Sequence, residues 1–277
     1  MNLFDYITVP VLNMRREPED LSEVVSQGVF PEPVEVVLET EGWSYIKTIA
    51  DGYPGWVKKG GICRRSMPYP QCPPELSLQI NRLSAHLYHT KDTIYGPIMT
   101  LPFGCCLDRM EEDVDGRWFK VVLPDGCEAY VQRGDISIGV RPLLTREEMC
   151  QFSLLFLGLP YTWGGRSSFG YDCSGFVQML YRQMGVYCPR DSQQQFLWEK
   201  FSEISVGSLN RGDLVFYGLA PDKIRHVGLW LGNGRFIHAI SVTENAPYIR
   251  ISSISDPAWN GTGYYPYFSG RTISQCS

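Results

Sequence analysis

Residues 226 to 240 read HVGLWLGNGRFIHAI, two apolar strands about a Gly-Asn-Gly turn, and how this hairpin closes decides what it carries. With a two-residue loop, Asn233-Gly234, Leu231 faces Phe236, and His226 and His238 point to opposite sides of the sheet. With a three-residue loop, Leu231 faces Arg235, Gly228 faces His238, and the imidazoles share one face as diagonal neighbours about 7 Å apart. A three-residue loop wants one residue in the left-handed region, which glycine supplies. The sequence permits both closures. DLVFYG at 213 to 218 and YIRIS at 248 to 252 read as strands beside the hairpin, so this part of the chain is an antiparallel sheet.

Upstream, FGYDCSGFVQML at 169 to 180 places Cys173 directly after Asp172 at the start of a helix. Cys173, Phe176, Val177, Leu180, Tyr181 and Met184 recur at helical spacing on one face, which ends at Gly185. In the first turn, unpaired backbone N–H groups and the positive end of the helix dipole favour a thiolate, which suits a nucleophile. The same spacing suits a plain core cysteine. Thr145 to Glu148 reads as a capping box, and the apolar run MCQFSLLFL continues as a helix until Gly158 and Pro160. Helices followed by an antiparallel sheet give an α+β domain over 142 to 277. If the imidazoles share a face, one pairs with the thiol and the other orients the first, a Cys-His-His set. Otherwise they are satisfied core or a metal pair, although no further ligand set surrounds them.

The first half of the chain repeats itself. Placing Asp51-Gly52 over Asp125-Gly126 puts Trp56-Val57 over Tyr130-Val131 and Gly60 over Gly134. Alternating runs broken by Asp-Gly turns predict two small antiparallel barrels, at 1 to 66 and 76 to 140, separated by the proline-rich MPYPQCPPE at 67 to 75. Both resemble bacterial SH3 (SH3b) domains, the first through VPVLNMR and DGYPGWV. The second departs further, with Cys127-Glu128-Ala129-Tyr130 in place of Tyr-Pro-Gly-Trp, and a spacer role is expected for it.

Composition narrows the partners. Among 277 residues no run approaches the ~18 to 20 apolar residues of a membrane helix. A net charge of -5 without Lys/Arg clusters disfavours nucleic acid and leaves a small molecule or peptide. The nine cysteines include no C-x-x-C, so they fit neither a disulfide framework nor a zinc site, and no cofactor is called for. MNLFDYITVPVLNMRRE lacks the features of a secretory leader, so a cytoplasmic location is expected, with a monomer as the default.

YDCSGF, GDLVFY and HVGLWLGNGRFIHA, in this order within 142 to 277, resemble the NlpC/P60 family of papain-like cysteine peptidases. With the SH3b-like units, the whole is similar to γ-D-glutamyl-L-diamino acid endopeptidases that process murein peptides. The resemblance implies Cys173 as nucleophile, His226 as its base and His238 as the residue that orients the base. A carboxylate beside a thiol raises the thiol's pKa, so the Asp172 side chain must face elsewhere, and it suits the helix N-cap. The resemblance adds that Asp172, with Ser174 and Tyr161, receives the free α-amino group of an N-terminal L-alanine. It also places Trp163 and Ser192 at binding positions, although Ser192 equally reads as an N-cap before QQQFLWEKF. Tyr53 and an acidic residue, for which Glu23 is the candidate, are implied to wall off the substrate from the first SH3b unit. The expected activity is hydrolysis between γ-D-glutamate and meso-diaminopimelate or lysine, in recycling or turnover of murein. A hydrolase of intact murein, acyl transfer through the same thioester, and a non-catalytic wall-binding protein are the alternatives.

Overall fold

Two segments of alternating apolar and polar residues, each cut by Gly-containing turns, fold into two sheets of the same design. The computed structural model describes residues 3–112, 116–241, 248–256 and 266–273. The chain divides into one unit of Met1–Pro142 with Ser167–Phe169 and another of Leu143–Arg166 with Gly170–Ser277.

The first unit holds β1 (Phe4–Ile7), β2 (Val11–Arg15), β3 (Val24–Val29), β4 (Pro33–Glu39), β5 (Trp43–Thr48), β6 (Pro54–Lys58) and β7 (Ile62–Arg65), then β8 (Leu78–Ile80), β9 (Ser84–Tyr88), β10 (Met99–Pro102), β11 (Cys106–Glu112), β12 (Trp118–Val122), β13 (Glu128–Gln132) and β14 (Ile136–Ile138). The first sheet runs β3-β2-β6-β5-β4-β1-β7 and the second β10-β9-β13-β12-β11-β8-β14, the same order displaced by seven strands. The sequence repeat is therefore a repeat of topology. Its equivalent turns place Gly52 and Gly126 at φ of +69° and +88°, where a side chain would be strained. Its equivalent valines, Val57 and Val131, are both wholly buried.

Ile7, Leu12, Met14, Val34, Ile46 and Val57 form the first core. Phe30, from the turn between β3 and β4, packs instead into the second core with Leu78, Leu101, Phe119 and Val121. The proline-rich link is tied to both sheets. Tyr69 N–H donates to the Tyr6 hydroxyl at 2.9 Å, and the Tyr69 hydroxyl donates to the Val122 carbonyl at 2.9 Å. Asp108 accepts from the backbone N–H groups of Gln71 and Cys72 at 2.9 and 2.8 Å. Links that satisfy their own backbone groups in this way order the residues they join.

The second unit begins with α1 (Arg146–Ser153), where Thr145 and Glu148 form the expected capping box. The helical run is shorter than expected. Ser153 Oγ donates back to the Cys150 carbonyl at 2.7 Å, and Leu154–Phe156 tightens into a 3-10 turn that buries Phe156 before Gly158 turns at φ +83°. A short hairpin follows, β15 (Arg166–Ser167) and β16 (Gly170–Tyr171), then α2 (Cys173–Arg182) and α3 (Ser192–Phe196). The sheet comprises β17 (Phe201–Ile204), β18 (Leu214–Gly218), β19 (Ile224–Gly232), β20 (Arg235–Ile240), β21 (Tyr248–Ser253) and β22 (Tyr267–Ile273), in order β17-β22-β18-β19-β20-β21. α2 buries Phe176, Val177, Leu180 and Tyr181 and packs against β19 and β20, which brings its first residue to the histidine hairpin. None of the eight described cysteines is joined to another by a disulfide, and Cys276 lies outside the described residues. No helix among the described residues is long and apolar enough to cross a membrane.

Because Phe30 leaves its own sheet for the second core, Phe30→Ala should cost about 3 to 5 kcal/mol and lower the stability of both sheets together. Denaturant unfolding followed by tryptophan fluorescence checks this. Two separated transitions, with only one displaced, would show that the link does not couple them.

Candidate active site

The hairpin closes in a way neither simple loop anticipates. Asn233 and Gly234 form a two-residue turn with φ of +52° and +72°, and Gly232 stands opposite Arg235. Continued unchanged, that register would separate the histidines. The ladder shifts by one residue between Trp230 and Gly232, so that Trp230 faces Phe236 and Leu229 faces Ile237. This β-bulge, with Gly232 at φ +86°, restores the register of the longer loop. His226 and His238 consequently share a face, with His226 Nε2 and His238 Nδ1 2.7 Å apart. Gly228 makes room for them: a Cβ there would lie 3.3 Å from the His238 Cβ and 2.6 Å from Phe236 Cδ2.

Asp172 is the N-cap of α2, as expected, and its Oδ1 accepts from Gly175 N–H at 2.7 Å and from the Ser174 hydroxyl at 3.2 Å. Cys173, the first helical residue, is 8% exposed. Burial, and after it the Asp172 charge, pushes its thiol up to about 12, against the opposing pull of Val227 N–H, Arg190 and Ser174 N–H. Desolvation thus opposes the thiolate that the helix start favours. Burial brings His226 down to about 3, although Asp172 opposes the shift. Burial, His226 and Arg250 hold His238 well below its ordinary range. Burial thus favours a neutral thiol beside neutral imidazoles over the ion pair.

Arg190 is the residue that sequence reasoning missed. Its side chain is 1% exposed, and its guanidinium donates to Asp172 Oδ1 at 3.0 Å, to Asp172 Oδ2 at 2.6 Å and to Ser174 Oγ at 3.0 Å. The carboxylate expected to receive the peptide's amino group therefore already holds a cation. A buried Asp beside a sulfur requires a nearby cation, and that requirement was the available signal. In PRDSQQQ the arginine stands two residues before Ser192.

Cys173 meets the backbone N–H of Val227, the residue after His226, so the start of α2 with Asp172 and Ser174 lies at the His226–His238 pair, and Tyr161 is near Cys173 and Asp172. Burial, and then the Cys173 and Asp172 charges, pushes the Tyr161 hydroxyl up, while a hydrogen bond with Ser241 opposes this. Trp163 is 62% exposed. Ser192 does not cap α3; Asp191 does, because it has the extended backbone of an N-cap and its N–H donates to Gln194 Oε1 at 3.4 Å. Tyr53, in the first unit, is a half-buried ring packed on that unit's core and not an exposed turn residue. Its N–H donates to Thr48 Oγ1 at 3.0 Å. Glu23 pairs with Arg16 at 2.6 Å on the same unit's surface. Among the described residues, no group of three or more His, Cys, Asp or Glu could hold a metal ion.

The model of the NlpC/P60 family matches residues 158–263, and that of the bacterial dipeptidyl-peptidase Sh3 domain matches residues 14–62. A γ-D-glutamyl-L-lysine dipeptidyl-peptidase of Bacillus subtilis is 30% identical over 225 residues, 78% of this chain and 72% of that protein. Dipeptidyl-peptidase 6 of Lysinibacillus sphaericus is 28% identical over 241 residues, 82% of this chain and 84% of that one. The crystal structure of a NlpC/P60 family protein from Bacillus cereus shares the fold, with a TM-score of 0.82 at 21% identity over 98% of this chain and 99% of that one.

Gly228→Ala should crowd His238 and Phe236 and lower turnover about tenfold or more while the chain stays folded, measured as kcat alongside the melting temperature. Titration offers a second check. Below about pH 6.5 the unfolded chain binds a proton at His226 that the folded chain refuses until about pH 3, so stability falls as pH drops through that window. His226→Gln should flatten this loss by up to ~1.4 kcal/mol per pH unit, read from denaturant midpoints between about pH 6.5 and 4.

Proposed function

The chain belongs to the NlpC/P60 family of cysteine peptidases, and from that premise we propose that it hydrolyses the amide between γ-D-glutamate and a diamino acid, lysine or meso-diaminopimelate, in murein peptides with a free N-terminal L-alanine. The observation that carries this reading is the pair of buried imidazoles bonded at 2.7 Å beside the first residue of α2. His226 Nε2 is engaged by His238, which leaves Nδ1 to take the Cys173 proton. Sulfur attacks the scissile carbonyl as that proton moves, and backbone N–H groups at the start of α2 receive the developing oxyanion. The intermediate collapses to a thioester, the amine leaves with the proton from His226, and water releases the dipeptide.

Recognition of the free amine is assigned to Asp172, Ser174 and Tyr161. Arg190 already neutralises the carboxylate, so the peptide ammonium shares Asp172 with a guanidinium. The preference for a free amine is then set by one charged hydrogen bond more than by an isolated buried charge. The name of the Bacillus subtilis relative, a γ-D-glutamyl-L-lysine dipeptidyl-peptidase, supports this substrate class, and that of dipeptidyl-peptidase 6 supports release of a dipeptide. A requirement for a free L-alanine suits peptides already released from the wall, hence turnover of fragments within the cytoplasm.

Assays on defined L-Ala-γ-D-Glu peptides test these assignments. Cys173→Ala and His226→Ala should abolish hydrolysis, His238→Ala should cost less than either, and Cys150→Ala and Cys188→Ala should retain activity. Comparable loss in all five would mark a structural cysteine. Acetylating the alanine should lower kcat/KM about tenfold or more. Equal cleavage of free and acetylated peptides would instead assign the site to intact murein.

A further inference from the structure

β21 supplies the next contact of the histidine pair. In its ladder with β20, Arg250 stands opposite His238 and Ser252 opposite Phe236, so Arg250 and Ser252, two residues apart, lie on the His238 face. His238 Nε2 is 3.0 Å from Ser252 Oγ, and Arg250 Nε donates to the same oxygen at 3.1 Å. Ser252 is 3% exposed and His238 wholly buried, so bulk water does not replace either partner.

The donors and acceptors along this row are linked. Nδ1 of His226 is a base only when that ring carries its proton on Nε2. The Nε2 proton is then donated to Nδ1 of His238, which must be bare. His238 therefore carries its own proton on Nε2 and donates it to Ser252 Oγ. Reversing Ser252 reverses everything: its hydroxyl donates to His238 Nε2, His238 donates from Nδ1, and the His226 proton sits on Nδ1, where it blocks the base. Arg250 can only donate. It occupies one lone pair of Ser252 Oγ, and its charge opposes a second cation on His238, so the imidazolium formed in turnover stays on His226.

We propose that Ser252, oriented by Arg250, is a positioning residue whose oxygen accepts the Nε2 proton of His238 and thereby keeps Nδ1 of His226 unprotonated when the Cys173 proton is to be taken. This rests on the peptidase reading above, and its test separates the two. Nitrogen NMR of the full chain labelled at histidine, assigned with His226→Gln and His238→Gln, should show both rings neutral near pH 7 with the proton on Nε2. A proton on Nδ1 of either ring overturns the proposal, whether or not any peptide is cleaved. In kinetics, Ser252→Ala should lower kcat about tenfold or more with KM changed by less than about twofold, and Ser252→Thr, which keeps the oxygen, should recover most of the loss. Unchanged kcat in Ser252→Ala, or equal losses in Ser252→Ala and Ser252→Thr, overturns the proposal as well. Failure of the wild-type chain to cleave γ-D-glutamyl peptides would remove the peptidase reading and leave the tautomer measurement to decide this one.

Discussion

The catalytic unit is organised around one buried carboxylate. Asp172 caps α2 through Gly175 N–H, holds the Ser174 hydroxyl and receives both ends of the Arg190 guanidinium. Its backbone is fixed as firmly, because Asp172 N–H donates to the Gly165 carbonyl at 3.1 Å and a Cβ on Gly175 would collide with that same carbonyl. Cys173 thus inherits its position from its neighbour. A charge so placed disfavours a thiolate, and Arg190 offsets part of that field while leaving the cap intact. A neutral cap would spare the thiol, but it would take the carboxylate away from the buried Arg190 guanidinium, which is costlier than keeping the pair.

The histidines show the same economy of position. Their shared face depends on one extra residue at Leu231, which turns a tight two-residue hairpin into the register of a longer loop. Bulges re-aim side chains without changing the strands on either side. The same ladder carries His238 to Ser252, both buried, and to the half-buried Arg250, so the row from His226 to the guanidinium crosses β19, β20 and β21. Burial gives each orientation consequence, because a wrongly directed proton in such a row has no water to correct it.

These details explain what the sequence disclosed and what it withheld. The apolar face of α2, the Thr145 cap and the central strands were legible because each is written in local periodicity or capping chemistry. The repeat extended to a shared strand order because turn residues recur at equivalent places. β17 and β22 were missed: FSEI is short, and YFSGRTI carries a glycine and an arginine that mask alternation. The hairpin register was undecidable because Gly232 and Gly234 both tolerate positive φ, and a bulge leaves no compositional trace. Arg190 and Ser252 were missed for a different reason. Each acts across the fold, eighteen and fourteen residues from its partner, where no periodicity links them.

Burial of the thiol and the imidazoles opposes the arrangement of charges around them. The helix start, Val227 N–H and Arg190 all favour a thiolate, yet the thiol rises to about 12 and His226 falls to about 3. Charge separation is therefore withheld until something in the complex stabilises it. In the proposed complex two groups do so together: the oxyanion finds N–H donors at the α2 start, and the peptide ammonium at Asp172 removes part of the field that raises Cys173. Recognition of the substrate's far end and activation of the sulfur then act through the same carboxylate. A peptide lacking the ammonium meets a weaker nucleophile as well as a poorer site, so its penalty falls on kcat as well as on KM.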